Sequence, residues 1–180
     1  MEKETLLKEL QHPETRERAF SELVRDYQER LYWHIRRMVL NHDDTDDVLQ
    51  NTFIKVYKNI DTFRGDSAVY SWMYRIATNE AINFLQKQAN KYRISNEELR
   101  AQLVNNLVSD PYFDGDAIQL KLQKALATLP EKQLAVFNMR YYEEMKYEEI
   151  SAVTDTSVGA LKASYHHAVK KIQEYLKQNG

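Results

Sequence analysis

Cysteine is absent from the 180-residue sequence, and glycine and proline occur only four and three times. Without cysteine the chain can form neither disulfide bonds nor thiolate metal sites. Few helix breakers and few β-branched runs predict an all-α fold. No run of roughly 18 apolar residues is present, so we expect no membrane-spanning helix and no direct membrane insertion. Residues 1–10 also lack the apolar core of a signal peptide, and we expect none.

Charge is unevenly distributed along the chain. The net charge of −2 argues weakly against nucleic-acid binding, because affinity for phosphates comes from Lys and Arg. Residues 157–180, however, contain four lysines and one acid, whereas residues 97–120 contain five acids and one arginine. A basic C-terminal segment beside an acidic middle predicts several different partners.

The spacing of apolar residues predicts helices over most of the chain. The first half has the periodicity of three or four helices, of which the clearest cover 18–40, about 46–60 and about 67–88. Turn-forming residues dominate 90–115, which predicts a flexible linker with one short helix at most. Four further helices are predicted over 116–128, 130–142, 146–153 and 157–177. We therefore expect two helical domains, 1–92 and 116–180, joined by a linker over 93–115.

The last two predicted helices have the spacing of a helix-turn-helix. A two-turn helix, a polar turn at 154–157 and a longer helix capped by Ser157 fit this motif. Apolar positions form one face of the longer helix, so a different face can enter a DNA groove; it carries Lys162, Ala163, His166, His167 and Lys170. An ordinary helical hairpin with a solvated lysine face is the alternative. The two adjacent histidines diverge by about 100° on a helix, which makes them a poor metal-binding pair.

The helix predicted at 46–60 has an apolar face and a polar face that includes one isoleucine. The polar face carries Asp47, Gln50, Asn51, Ile54 and Lys58. An exposed isoleucine among acids and amides suits a protein–protein contact, but a solvated face with one stray apolar residue is equally compatible.

Aromatic and arginine side chains surround the glycine-containing segment that follows. They are Phe63, Arg64, Tyr70, Trp72, Tyr74 and Arg75. Such residues near a flexible loop can stack on unpaired bases. Core packing is the alternative, and for Trp72 we expect partial burial with one face available.

Two other functions remain open from the residues alone. A stand-alone helix-turn-helix regulator would bind a palindromic duplex by itself. A metal-dependent phosphohydrolase could use His34, His42 and Asp43, although the acids at 43–47 are better explained by capping and the helix dipole.

Two blocks of sequence resemble the extracytoplasmic-function (ECF) sigma factors of bacterial RNA polymerase. The first block is DVLQNTFIKVY at 47–57, FRGDS at 63–67 and SWMYRIATN at 71–79. The second is LPEK at 129–132, YEEIS at 147–151 and SVGALK at 157–162. The resemblance covers nearly the whole chain apart from the linker.

The resemblance implies a role for each set of residues. Contacts to the β′ clamp helices of core polymerase would come from Asp47, Gln50, Asn51 and Ile54. Capture of a flipped −10 base and contacts beside it would come from Phe63, Arg64, Gly65, Asp66, Ser67, Ala68, Tyr70, Trp72 and Asn79. The −35 element would be contacted by Lys162, Ala163, His166, His167 and Lys170, and the acidic linker would approach the polymerase active-site channel.

The resemblance also implies partners and a location. We expect core RNA polymerase, including its β flap, promoter DNA and an anti-sigma factor as partners, and no enzymatic activity, cofactor, metal or small-molecule substrate. The protein would act in the bacterial cytoplasm, where an anti-sigma factor can hold it at the membrane. Ser164, His167 and Val169 stand where arginine is common in the family, which predicts weaker and pH-sensitive phosphate contacts.

Overall fold

Helices make up nearly all of the regular structure in the computed structural model, which describes residues 3–65, 68–110 and 115–179. No strand occurs in these ranges, and the predicted all-α class is confirmed. The helices are α1 (Lys3–Gln11), α2 (Arg16–Val39), α3 (His42–Asn59), α4 (Val69–Tyr92), α5 (Asn96–Asn106), α6 (Ala117–Leu126), α7 (Glu131–Tyr141), α8 (Tyr147–Thr154) and α9 (Val158–Asn179).

Helix α3 begins earlier than its apolar pattern predicts. Leu40 adopts a left-handed conformation with φ of 64° and ends α2. The Asn41 side chain then accepts a hydrogen bond of 2.9 Å from the backbone N–H of Asp44, so α3 begins at His42 rather than near residue 46. Acidic residues in this first turn interact favourably with the positive end of the helix dipole. Residues 42–45, which the apolar pattern leaves between two predicted helices, are therefore helical.

Residues 93–115 contain an 11-residue helix, α5. A capping box starts it: Ser95 accepts from the Glu98 N–H, and the Glu98 carboxylate accepts from the Ser95 N–H. Arg100 is buried and fixes α5 to the second half of the chain, donating to the Ala127 carbonyl at 3.0 Å and to Glu131 at 2.7 Å. This segment is thus packed against α6 and α7 along part of its length.

Helices α2, α3 and α4 form a three-helix bundle around an apolar core. Leu31, Ile35, Val56 and Met73 are fully buried in it. Helix α1 crosses one end of the bundle and buries Leu10. This bundle is the scaffold that positions the residues of 47–79.

The second half packs α6, α7 and α8 against the long helix α9. The turn between α8 and α9 is held by Asp155, whose φ is 56°, and by the Ser151 hydroxyl, which donates to the Thr156 carbonyl at 2.7 Å. Ser157 caps α9 by accepting from the Ala160 N–H at 3.2 Å, as predicted. The helix-turn-helix is therefore present in the predicted place.

The two halves share one hydrophobic core. Helix α8 packs on α4, and α7 packs on α2. Ala135, Val136, Met139 and Met145 from the second half join the apolar cluster of the first bundle. The chain is thus folded back on itself, with α8 covering part of α4 and α7 covering part of α2. Within the described ranges, no helix has both the length and the apolar character needed to cross a membrane.

Candidate nucleic-acid and partner interfaces

An apolar groove of about 560 Å³ lies between α2 and α3. Ile54 and Tyr57 are 50% and 39% exposed on its α3 side. Phe20 forms the opposite wall, with its ring centroid 5.0 Å from that of Tyr57 and 6.3 Å from that of Phe53. Polar atoms of Asp46, Gln28, Gln50 and Lys58 surround these apolar walls. Such a groove is suited to an apolar side chain from a partner helix.

The groove includes only some of the residues predicted for this surface. Gln50 and Ile54 line it, whereas Asp47 and Asn51 are exposed on α3 outside its lining. Phe20, Val24 and Tyr57 line it without having been predicted. The α2 residues carry the same helical periodicity as core residues, so only their incomplete burial distinguishes them.

Helix α1 contacts the loop after α3 and holds it through hydrogen bonds. Gln11 donates to the Phe63 carbonyl at 3.0 Å and to the Ile60 carbonyl at 3.4 Å. Gly65 has φ of +78°, a conformation that favours glycine, and a Cβ there would lie 3.4 Å from the Leu7 side chain. This role of α1 was not predicted from the sequence. Arg64 is exposed, and the predicted residues Asp66 and Ser67 lie outside the described ranges.

Two aromatic rings of the predicted base-capture set pack against each other. Phe63 is 6% exposed, and its ring centroid lies 5.0 Å from that of Trp72. Trp72 is half-buried, as expected. A base can thus reach Trp72 more readily than Phe63 in this conformation.

A second aromatic cluster, which we call the Arg30 patch, consists of Tyr27, Arg30, Tyr70 and Tyr74. The rings of Tyr27 and Tyr70 are stacked with centroids 6.3 Å apart. The guanidinium of Arg30 lies 5.4 Å from the Tyr70 centroid and 5.9 Å from that of Tyr74, within the range of cation–π attraction. Tyr70, Tyr74 and the neighbouring loop were predicted from sequence as a base-stacking segment, but Tyr27 and Arg30 on α2 were not.

Asn79 faces the second half of the chain. It lines a cavity of about 430 Å³ between α4 and helices α7 to α9, together with Arg75, Lys132 and Ser164. Asn79 itself remains exposed to this cavity. The predicted −10 face of α4 is therefore bordered by the helix-turn-helix in this conformation.

The predicted −35 face of α9 points away from the core. Its members are all exposed: Lys162, Ala163, His166, His167 and Lys170. Leu161, Ala168 and Ile172 are buried on the opposite side. Lys162 lies 5.8 Å above the ring of Tyr147, which positions its ammonium beside the start of α8. This face is free to enter a DNA groove.

The histidines of the phosphohydrolase alternative are engaged separately. The Thr78 hydroxyl donates to the Tyr74 carbonyl at 2.6 Å, so it accepts from His34 Nε2, 2.7 Å away. Complete burial, reinforced by Arg37, lowers the pKa of His34 from 6.5 to about 3. His42 Nδ1 instead lies 2.6 Å from the Tyr32 hydroxyl. Across the part of the chain that is described, no group of three or more His, Asp or Glu residues could hold a metal ion.

Family models match both halves of the chain. The model described as sigma-70 region 2 matches residues 23–91, and that described as sigma-70, region 4 matches residues 119–172. Region 2 therefore corresponds to α2–α4 and region 4 to α6–α9.

Similar proteins and structures extend over most of the chain. The ECF RNA polymerase sigma-E factor of Haemophilus influenzae is 31% identical over 87% of this chain and 86% of its own. SigW of Bacillus subtilis is 29% identical over 88% of this chain and 89% of its own. Among solved structures, CnrH in complex with the cytosolic domain of CnrY has a TM-score of 0.72 at 20% identity and covers 99% of both chains. The sigma factor RpoE in complex with the anti-sigma factor NepR from Bartonella quintana has a TM-score of 0.66 at 20% identity and covers 88% of this chain and 96% of its own.

The two solved structures share the fold, and the sequence relative from Haemophilus influenzae is identical at about one residue in three over most of both chains. On this evidence the chain belongs to the ECF sigma factors of RNA polymerase.

Proposed function

We propose that the α2–α3 groove is the surface through which this transcription initiation factor binds core RNA polymerase. The observation that carries the proposal is the exposure of Ile54 and Tyr57 beside an apolar groove with a polar rim. Binding energy at protein interfaces is concentrated in a few apolar anchors that enter such pockets. The groove would accept an apolar side chain of the β′ clamp helices, with Gln50, Asp47 and Asn51 contacting the polar surface around it.

The −10 element would be opened by the loop after α3 and the start of α4. Extruding a base costs a few kcal/mol of stacking and pairing, which a fitted pocket can offset. Support for this role comes from the exposed Arg64, the half-buried Trp72 and the glycine at Gly65. The proposed contact set is Phe63, Arg64, Gly65, Asp66, Ser67, Ala68, Tyr70, Trp72 and Asn79.

The −35 element would be contacted by the exposed face of α9. Lys162, Lys170 and the two histidines offer donors to phosphates and base edges, and Ala163 permits close approach to the groove. The absence of arginine from this face predicts a modest intrinsic affinity, so polymerase, including its β flap, must contribute to promoter binding.

An anti-sigma factor is the proposed inhibitory partner. RpoE from Bartonella quintana, whose fold is similar, was solved in complex with the anti-sigma factor NepR, and CnrH was solved in complex with the cytosolic domain of CnrY. The proposed division of the chain is a polymerase-binding and −10 domain over 1–92, a linker over 93–115 and a −35 domain over 116–180. The site of action is the cytoplasm, where the polymerase and promoter are found.

The test is binding to core RNA polymerase by the full-length chain with Ile54→Glu. Burying a carboxylate in the apolar groove should cost about 2 kcal/mol or more, which weakens binding about 30-fold. Tyr92→Glu is the matched control, because Tyr92 is 59% exposed on the last turn of α4 and lies outside the groove lining. Affinity is measured by titrating labelled chain with core enzyme, and transcription by run-off synthesis.

The expected result is a large loss of binding and transcription with Ile54→Glu and near-native values with Tyr92→Glu. Equal affinity of both variants and the unaltered chain for core enzyme would exclude the groove as the polymerase-binding surface. Circular dichroism of the variants verifies that each remains helical.

A further inference from the structure

Glu143 connects the two regions through an ion pair and a hydrogen bond. Its carboxylate oxygen Oε1 lies 2.6 Å from Arg37 Nη1 on α2, and Oε2 accepts from the Tyr74 hydroxyl on α4 at 3.1 Å. The side chains of Arg37 and Glu143 are only 24% and 9% exposed. The Arg37 guanidinium also lies 4.5 Å from the ring centroid of Tyr142. Both oxygens of one carboxylate from region 4 are therefore bound by region 2.

The loop that carries Glu143 is held in shape on both sides. Arg140 donates to the Met145 carbonyl at 3.0 Å, and the Met145 N–H donates to the Met139 carbonyl at 3.0 Å. Glu144 takes the left-handed conformation with φ of 52°, and Met145 is buried in the core that both regions share. The carboxylate of Glu143 is thus presented to α2 and α4 by an ordered loop.

The groups that bind Glu143 adjoin the proposed −10 surface. Tyr74 belongs to the Arg30 patch, whose Tyr70 is part of the proposed −10 contact set. Asn79, another proposed contact, lies five residues further along α4, on a different face of the helix from Tyr74, and lines the cavity shared with region 4. Tyr74 therefore lies one helical turn from Tyr70 on the same side of α4, and region 4 covers its hydroxyl and the Arg37 guanidinium that lies beside it.

We propose that Arg37 and the Tyr74 hydroxyl form a binding site for a phosphate of −10 DNA, and that the Glu143 carboxylate occupies this site in the free chain. A carboxylate and a phosphodiester each present two anionic oxygens, and a guanidinium beside a hydroxyl can donate to either. The two ligands exclude each other, so DNA can bind α4 fully only after region 4 has moved away. This inference rests on the proposed −10 function of α4 and adds a phosphate site and an internal competitor to it.

Two substitutions that break the same ion pair distinguish a phosphate-binding site from an ion pair that only holds the two regions together. Glu143→Gln and Arg37→Gln should both weaken the contact between region 4 and region 2, and so raise the fraction of chains in which the two regions are apart. Only Glu143→Gln retains Arg37, the residue proposed to bind the phosphate. We expect it to tighten binding of a mixed-sequence single-stranded oligonucleotide about tenfold in the absence of polymerase, because a buried charged contact is exchanged for a free site. Arg37→Gln should open the chain without this gain.

Two measurements report the two steps. Arg25 and Lys177 are exposed on α2 and α9, and replacing both with cysteine allows specific labelling because the chain has no other cysteine. Energy transfer between these labels reports separation of the regions. Fluorescence anisotropy reports oligonucleotide affinity, and its salt dependence should fall by about 0.7 in log–log slope when Arg37→Gln is added to Glu143→Gln, the value for one phosphate of a single strand.

Glu144→Gln is the matched control, since it removes the same charge from the exposed neighbouring position. Tyr74→Phe provides a milder second variant that removes only the hydroxyl. Unchanged energy transfer in both Glu143→Gln and Arg37→Gln would show that the ion pair does not hold the two regions together. Equal gains in DNA affinity by the two variants would show that Arg37 does not bind a phosphate. Polymerase is absent from these assays, so failure here leaves the Ile54 test of the proposed function unaffected.

Discussion

Protonation of His34 should make the folded chain strongly sensitive to acid. The ring is completely buried, its Nε2 donates to Thr78, and Nδ1 is buried without a hydrogen-bond partner among the described residues. Burial and the nearby Arg37 lower its pKa from 6.5 to about 3. The folded state therefore keeps this histidine neutral under conditions in which the unfolded chain protonates it.

The sign and size of the effect follow from proton linkage. Below pH 6.5 the unfolded state binds a proton that the folded state refuses until about pH 3, so the free energy of unfolding falls as the pH falls through this window. One unit of pKa corresponds to about 1.4 kcal/mol. Between pH 7 and pH 5 this one residue should remove about 2 kcal/mol of stability, a substantial part of the 5–15 kcal/mol typical of a folded domain.

Urea denaturation of the full chain and of His34→Gln, followed by circular dichroism at pH 7, 6 and 5, isolates this contribution. Glutamine can still donate to Thr78 but does not titrate, and all other ionisable groups are common to both proteins. We expect the difference in unfolding free energy between the two proteins to shrink by about 2 kcal/mol from pH 7 to pH 5. A difference that is constant over this range would refute the assignment of a neutral, buried His34.

Two further substitutions test the contacts that hold α1 and α5 in place. Gln11→Ala removes the hydrogen bonds from α1 to the loop after α3. It should raise the free-energy barrier to promoter opening by about 1 kcal/mol and leave binding to core polymerase unchanged. Permanganate footprinting measures the opening, and Gln102→Ala on the exposed face of α5 is the control. Arg100→Met leaves Glu131 without its partner and should lower the unfolding free energy by about 3 kcal/mol in urea denaturation; an unchanged value would show that α5 is not fixed by this contact.

Helices with a clear apolar stripe could be predicted from the sequence because their burial follows from periodicity alone. The stripe of Leu161, Tyr165, Ala168 and Ile172 in α9 fixes which face is buried, and so predicts the exposure of the lysines and histidines opposite. The part of the site that could be predicted is therefore the set of residues whose exposure follows from the apolar face of their own helix. Trp72 was also predicted correctly as half-buried, because its position on α4 lies at the edge of such a stripe.

Local capping signals outweighed composition in the segment between the domains. Turn-forming residues at 90–115 predicted a linker with one short helix at most, and the structure has there a helix of 11 residues that begins at the capping box of Ser95 and Glu98. The pattern Ser-x-x-Glu was present in the sequence and could have located this helix. Asn41 is a similar case, since its side chain starts α3 before the apolar pattern begins.

Contacts between distant residues could not be predicted from one sequence. Arg37 and Glu143 are 106 positions apart, and neither differs in type from many exposed charges along the chain. Phe20 and Val24 have the spacing of core residues, and their role in the groove depends on how closely α3 approaches α2. These parts of the site are set by tertiary packing, which periodicity does not encode.

The two proposed surfaces of region 2 differ in their accessibility, which implies an order of assembly. The α2–α3 groove is open in the folded-back chain, with Ile54 half exposed, whereas the Tyr74 hydroxyl is engaged by Glu143. Core polymerase can therefore bind before region 4 moves, but −10 DNA cannot occupy the proposed phosphate site. If polymerase contacts to both regions separate them, part of the binding free energy offsets the cost of breaking the contacts between the regions and exposes the proposed −10 surface. A free chain would then bind promoter DNA poorly even though its −35 face on α9 is exposed, because one of its two DNA-binding surfaces is occupied by its own carboxylate.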